Sequence, residues 1–170
     1  MIFDTDMKSL LNHPVARFIS KNIATIIAIF ALLISLWAIK IQISQSRVEL
    51  WHNLRHEFDR ELIKQRKACG EAYFKNNLAS KYGQVMDFFD VVAFLVHSHR
   101  MDKDLFHYTF SYYFYPYYQA SQKFIEEERS KDPEVYQDVF EIFKEIPPDP
   151  SFKTKRDLNE FFQSEKDLEE

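Results

Sequence analysis

Glycine is nearly absent from this chain, with 2 residues in 170. Few glycines leave few positions for tight turns, β-bulges or phosphate-binding loops, so the composition favours an all-helical fold. Cysteine is scarcer still, because Cys69 is the only one; no intrachain disulfide can form, and a reducing compartment is favoured. A basic field is also lacking, since 22 Lys and Arg residues are mixed with 26 Asp and Glu residues. We therefore expect no binding to nucleic acid.

A long apolar run lies near the N-terminus, from Ile23 to Ile39, with a lysine close to each end and only two hydroxyl residues inside it. At about 1.5 Å per residue this run spans roughly 25 Å as a helix, and apolar neighbours extend it toward the ~30 Å hydrocarbon core of a bilayer. We predict an N-terminal flank over 1–22 and one transmembrane helix over 23–41. The side chains predicted to anchor it in lipid are Ile26, Ile29, Phe30, Leu33, Leu36 and Trp37.

Two other interpretations of the apolar run fit less well. The run is longer than the 7 to 15 apolar residues typical of a cleaved signal peptide. A helix that is apolar on every side needs a larger domain than this one to be buried in a soluble core. Basic residues are nearly balanced on the two sides of the run, so the charge rule alone does not orient it. The lone cysteine favours an inner-membrane protein with a cytoplasmic C-terminal domain.

Beyond the membrane, apolar residues recur at helical spacing and predict a domain of about four helices over 42–146. The first continues from the transmembrane helix without a break toward Gly70, and its apolar seam either packs within the domain or forms a coiled coil with a second copy. The second helix is predicted over 84–98. The third begins near Lys103, after Asp102 as its N-cap.

The third predicted helix contains Pro116, which we expect to kink or break it. A fourth helix is predicted to open with Asp132 as cap and Pro133 at the first helical position, and to end at Ile146. The remaining segment, 147–170, is mostly charged. It is predicted as a tail that either forms a short amphipathic helix able to dock a partner or frays.

The third helix has nine aromatic residues between positions 106 and 118. They either pack as the core or line an apolar groove that receives a lipid or a partner helix. Nine aromatic residues in so few turns must cover every side of the helix, so some of them should face outward. The candidates for this interaction surface are Phe106, Phe110, Tyr113, Tyr117 and Tyr118.

Histidines provide the only patterns with possible metal chemistry. His52 and His56 stand four residues apart on the first helix, and His97, His99 and His107 surround the predicted turn. Neither set supplies a recognisable motif, and a solvated turn accounts for the second set. We therefore predict no metal ligand, no cofactor and no catalytic residue, and a protein that is not an enzyme.

The stretch from Arg47 to Phe143 resembles the bacterial membrane-anchored family described as a domain of unknown function, DUF4760. The order of its features carries the resemblance, and these fall on Phe88, Phe89, Asp102, Phe106, Tyr117, Tyr118, Ile125, Arg129, Pro133 and Tyr136. Such proteins commonly have a tryptophan beside the third-helix tyrosine, where this chain has a second tyrosine. The resemblance implies a helical domain with no assigned chemistry, and it too favours a cytoplasmic C-terminal domain.

Together these features predict a single-pass membrane-anchored helical protein that acts as an interaction or regulatory module, accessory to a larger bacterial system such as phage defence or envelope control. Its partners would be membrane lipid and an unidentified protein or a second copy of the chain. Two alternatives stay open. One is a metal-dependent enzyme that uses the histidines between positions 97 and 107, and the other is a small membrane-active toxin.

Overall fold

A computed structural model describes residues 14–75, 81–146 and 150–169, with side chains from Asn22 onward. Within these ranges the chain contains six α-helices and no β-strand. The predicted all-α class is therefore confirmed. Residues 1–13 of the predicted N-terminal flank lie outside the described residues.

The chain forms two compact units, Met1–Ser46 and Arg47–Glu170. A single helix, α1 (Pro14–His56), begins in the first unit and ends in the second. The prediction that the apolar helix continues past Ile41 into the helical domain is confirmed.

The second unit contains a break in regular α-helix that was not predicted from the sequence. After α1 the backbone makes a π-helical turn, Glu57–Glu61, and then resumes as α2, Ile63–Lys75. The wider turn is closed by the amide of Leu62, which donates to the carbonyl of Glu57 at 2.9 Å. The turn includes Phe58, which is 0% exposed in the core. The predicted uninterrupted helix is thus wrong at this turn.

Helices α3 (Gly83–His97) and α4 (Lys103–Lys131) follow the prediction closely. Asp102 caps α4 as predicted, since its side chain accepts hydrogen bonds from the amides of Asp104, at 2.9 Å, and Leu105, at 3.3 Å. Of the kink or break predicted at Pro116, a break is not found, because α4 runs through this residue. Phe114, Pro116 and Tyr117 are all buried, and burial of this segment favours the helix although proline lacks a backbone hydrogen bond.

Helix α5 (Gln137–Glu145) begins later than predicted. Asp132 does accept from an amide, that of Glu134 at 3.0 Å, but it caps a turn and not the helix. Tyr136 ends this turn in the left-handed region, with φ of 54°. Its hydroxyl donates to Asp87 on α3 at 2.7 Å, which fixes the turn and delays the start of α5.

Helix α6 (Lys155–Lys166) lies in the predicted tail, so of the two alternatives for that segment the short helix is observed and the frayed end is not. Thr154 and Asp157 form a capping box at its N-terminus, and α6 packs along α2. Phe161 and Phe162 are 3% and 0% exposed. The second compact unit includes α6, whereas the sequence predicted a domain end at residue 146.

The core of the second unit consists largely of aromatic rings. Phe58 lies at its centre, with ring centroids 5.3 Å from Phe88, 5.6 Å from Phe89 and 5.9 Å from Phe110. These tilted and edge-to-face arrangements are the ones that aromatic pairs prefer. The rings join the π-helical turn to α3 and α4.

Candidate functional site

The apolar helix of the first unit is one candidate functional element. Within the described residues one helical stretch, Asn22–Glu61, is long and apolar enough to cross a membrane by length and composition. No residue of its most apolar 18-residue window is buried. Among the predicted anchor residues Trp37 is the most exposed, at 67%, and only Ile26 is half-buried. So much contiguous apolar surface is unfavourable in water and favourable in lipid.

The residues predicted to form an aromatic interaction surface are mostly buried. Phe106, Phe110 and Tyr117 are 0% exposed, Tyr118 is 6% exposed and Tyr113 is half-buried. The four residues Phe106, Phe110, Tyr113 and Tyr117 recur at spacings of four, three and four, which places them on the side of α4 that faces the core, and Tyr118 directly follows Tyr117. The residues predicted to form an interaction surface therefore lie on the face of α4 that packs in the core, and not on its outer face.

The outer face of α4 contains different aromatic residues. Tyr108 is 89% exposed and Tyr112 is 47% exposed. The ring of Tyr112 lies 5.1 Å from that of Phe152, so it partly covers the segment before α6. Tyr108 is therefore the aromatic side chain of α4 best placed to meet another molecule.

A buried ion pair joins α2 to α6. The guanidinium of Arg66 donates to both carboxylate oxygens of Glu165, at 2.8 and 2.7 Å, and the two residues are 4% and 2% exposed. Tyr117 on α4 donates its hydroxyl to the same carboxylate. A bidentate pair with a third hydrogen bond satisfies both charges, which is what makes their burial tolerable.

Arg66 also contacts the π-helical turn. Its guanidinium donates to the carbonyl of Phe58 at 3.2 Å and lies over the Phe58 ring, 4.3 Å from the centroid. Burial lowers the pKa of Arg66, but the hydrogen bond and negative charge of Glu165 outweigh it and raise the pKa above its usual range. Arg66 stays charged, and it connects three elements of the second unit.

Cys69, one turn after Arg66, is an inert thiol in this setting. It is 0% exposed and its sulfur donates to the carbonyl of Lys81 at 3.2 Å. Burial raises the pKa of the Cys69 thiol from 9.0 to about 12, and the negative charge of Glu165 adds to the increase. A thiol that stays protonated at neutral pH is a poor nucleophile and a poor metal ligand.

A second polar cluster lies where the end of α3 meets α5. The Nδ1 atom of His97 is 2.6 Å from Oδ1 of Asp138, and its Nε2 atom is buried without a hydrogen-bond partner in the described structure. Glu141 completes a group in which one ligand atom from each residue lies within 4.8 Å of the others. In the described part of the chain this is the one such group of three.

The other predicted histidines are not part of that group. The carbonyl of His99 accepts from Arg47 at 3.4 Å, and the carbonyl of His107 accepts from Ser111 at 2.5 Å. The ring of His52 packs against Trp51, with centroids 4.5 Å apart. The structure therefore pairs His97 with acidic residues of α5 and not with the histidines nearest to it in sequence.

Sequence reasoning missed Asp138 and Glu141, as well as Arg66 and Glu165. The only available signal was the spacing of three residues between Asp138 and Glu141, which puts two carboxylates on one side of a helix. Nothing in the sequence connects them to a histidine 41 positions earlier.

A family model described as a domain of unknown function, DUF4760, matches residues 22–145. This match covers both the apolar helix and the second unit through the end of α5. No curated protein and no solved structure matches the chain at a significant level.

Proposed function

We propose a function from this chain's own residues. The chain belongs to the DUF4760 family, and that family has no assigned activity. The chain is a single-pass membrane-anchored module whose helical domain binds a protein partner. It acts by binding and not by catalysis.

The observation that carries this proposal is the exposed apolar helix. Leu33, Leu36 and Trp37 are each more than half exposed, and the surrounding run contains no charged residue between Lys21 and Lys40. Eight large apolar residues near the centre of a bilayer favour insertion by roughly 3 kcal/mol in total. Transfer of this surface from water into lipid is therefore favourable.

Two features of the second unit support a role without catalysis. Cys69 is buried and has a pKa raised to about 12, so it lacks the exposed thiolate that a nucleophile needs. His97 is hydrogen-bonded to Asp138, but its other ring nitrogen is buried. A general base must reach a substrate proton, and this nitrogen is covered.

Membrane anchoring is tested by fractionation after an alkaline wash. Replacing Phe30 and Leu33 by arginine adds about 2.5 to 3.5 kcal/mol of insertion cost per residue, which exceeds the total gain from the run. We expect the full-length protein to stay in the membrane pellet and the double variant to leave it. Arginine at Val91 and Phe94, which are exposed apolar residues of the helical domain, is the matched control and should change nothing. Release of the unmodified protein would contradict the proposal.

The proposed protein partner is tested by site-specific photo-crosslinking in native membranes. A crosslinking amino acid at Tyr108 should capture one defined protein, because this side chain is 89% exposed on the outer face of α4. The same amino acid at Glu127, also exposed on α4, is the control and should capture none. Capture of lipid alone, or identical products at both positions, would argue against a partner on this face.

The cytoplasmic orientation of the helical domain is part of the proposal. It rests on the single cysteine, which fits a reducing compartment. A reporter enzyme that is active only in the cytoplasm, fused after Glu170, should be active. Activity only of a periplasmic reporter at the same position would reverse the orientation.

A further inference from the structure

Negative charge accumulates without a matching cation where α3 packs against α5. Asp87 accepts from the hydroxyl of Tyr136 at 2.7 Å, and Asp90 accepts from the amide of Val139 at 3.4 Å. Among the ion pairs of the described residues, none joins these two carboxylates, Asp138 or Glu141 to a lysine or arginine. Burial raises the pKa of Asp90, and the negative charges of Asp138 and Asp87 raise it further. A cation bound at this interface would reduce the repulsion between these carboxylates.

His97 supplies a nitrogen ligand beside this charge. Its Nδ1 atom lies 2.6 Å from Oδ1 of Asp138, and Glu141 follows Asp138 by three residues on α5, so both carboxylates lie on one side of that helix. One ligand atom from each of the three residues lies within 4.8 Å of the others. Imidazole nitrogen and carboxylate oxygen are both ligand types that divalent transition metals such as Zn²⁺ bind in proteins.

We propose that His97, Asp138 and Glu141 bind one divalent transition-metal ion of the Zn²⁺ class, which crosslinks the end of α3 to α5. The site differs from the one considered in the sequence, where His97, His99 and His107 were grouped. It also replaces the expectation that the chain has no metal ligand.

The geometry needs only a small adjustment to admit the ion. Zinc binds imidazole nitrogen and carboxylate oxygen at about 2.0 to 2.2 Å, so two such ligands of a tetrahedral ion stand roughly 3.4 Å apart. The 2.6 Å separation of His97 and Asp138 must therefore open by less than about 1 Å as the ion takes the place of the shared proton. Glu141 is exposed and accepts a hydrogen bond from the side-chain amide of Gln137. Its carboxylate would turn from this amide toward the ion, and a fourth position would stay open to water.

Charge favours the same conclusion. Two ionised carboxylates and a neutral imidazole carry a formal charge of −2, which a divalent ion neutralises. The ion would also reduce the repulsion that Asp138 exerts on Asp90. A metal at this position thus stabilises the packing of α5 on α3 and does not require a substrate.

The test uses the full-length chain purified in detergent, stripped with EDTA and titrated with Zn²⁺ alone by calorimetry. We expect one ion per chain and a rise in the melting temperature. Glu141→Gln should weaken the affinity at least ~10-fold, because even groups that only support a ligand contribute that much. His97→Ala should do the same; if that variant does not fold, Glu141→Gln decides, since an exposed glutamate can be replaced without loss of packing.

The controls separate this site from adventitious binding. One control variant carries both His52→Ala and His56→Ala, which removes the other close histidine pair. A second control carries His107→Ala. Both should bind Zn²⁺ with the affinity of the unmodified chain. Ca²⁺, which does not prefer imidazole, should bind at least ~10-fold more weakly than Zn²⁺. The proposal is overturned by the absence of saturable Zn²⁺ binding, by unchanged affinity in Glu141→Gln, by loss of binding in the His52 and His56 variant, or by equal affinity for Ca²⁺.

Discussion

Arg66 and Glu165 form a buried ion pair in the core of this domain. The two residues are 99 positions apart, and the pair joins α6 to α2 while Tyr117 adds a hydrogen bond from α4. Taking two charges out of water is costly, and the bidentate geometry offsets that cost. An arrangement of these three helices that separated Arg66 from Glu165 would leave buried charge unpaired, which is unfavourable.

Glu165→Ala should lower the free energy of unfolding by about 3 to 5 kcal/mol, because it leaves the guanidinium of Arg66 buried without a counter-ion. Replacing both partners, as Arg66→Met with Glu165→Leu, should cost much less, since no charge stays behind. Thermal and denaturant unfolding of the full chain in detergent would measure both. Equal losses in the single and double variants would contradict this account of the pair.

Two buried tyrosines should respond in opposite ways to loss of the hydroxyl. Tyr117→Phe removes a hydrogen bond to a carboxylate and should cost about 1.5 to 3 kcal/mol. The hydroxyl of Tyr82 is buried without a hydrogen-bond partner in the described structure, so Tyr82→Phe should be neutral or stabilise by about 1 kcal/mol. The same unfolding experiments compare them. A larger loss for Tyr82→Phe than for Tyr117→Phe would show that the hydroxyl roles are assigned wrongly.

We expect Cys69 to make the free energy of unfolding sensitive to alkaline pH. The folded thiol has its pKa raised from 9.0 to about 12 by burial, so above about pH 9 the unfolded chain releases a proton that the folded chain retains. The free energy of unfolding should fall as pH rises from 9, by up to about 1.4 kcal/mol per pH unit. Unfolding at pH 8.5 and 9.5 measures the slope, and Cys69→Ala should flatten it. An unchanged slope in that variant would exclude Cys69 as its source.

At the scale of elements, the docking of α6 depends on the one glycine of α2. A Cβ atom built on Gly70 would stand 2.5 Å from the amide nitrogen of Lys166 and 2.8 Å from the carbonyl oxygen of Phe162. These are backbone atoms, which cannot move without the helix. Glycine inside a helix costs about 1 kcal/mol relative to alanine, and here its small size allows the two helices to touch.

Gly70→Ala and Gly83→Ala form a matched pair. The first should destabilise by about 1 to 3 kcal/mol as overpacking forces α6 away from α2. The second places a Cβ 3.6 Å from the ring of Phe124, an ordinary contact, and should be neutral or slightly stabilising. Melting temperatures of both variants check this, and hydrogen exchange in α6 should rise only in Gly70→Ala. Equal behaviour of the two would contradict the close approach.

The helices that could be predicted are those whose signals are local. Helices α3 and α4 follow from apolar spacing and from the N-cap Asp102, whose side chain accepts a hydrogen bond from the amide two residues later. The delayed start of α5 could not be predicted, because it depends on Tyr136 reaching Asp87 in another helix. The docking of α6 depends likewise on Glu165 meeting Arg66. Periodicity gives the faces of helices but not the residues that meet across them.

The same limit explains the aromatic residues of α4. Composition shows that some of the nine must face outward, but it does not show which. The five chosen share a helical face, and that face is the core. Tyr108 lies on the other side of the helix, and its residue type alone does not distinguish it from the other tyrosines of the stretch.

At the scale of the whole molecule, the chain combines an exposed apolar helix with a domain that has its own aromatic core. The apolar run could be predicted from the sequence because length and hydrophobicity are properties of one segment. The charged residues of the second unit lie outside that run. The central claim is that lipid surrounds the run.

Cysteine labelling in intact membranes tests this claim most directly. Cys69 is buried and should not react, so a single added cysteine reports alone. Ala31→Cys and Ser98→Cys are both exposed positions, one in the apolar run and one after α3. With a water-soluble maleimide we expect fast labelling at position 98 and none at position 31 until detergent and denaturant are added. Labelling of both positions at similar rates in intact membranes would contradict a membrane-spanning helix.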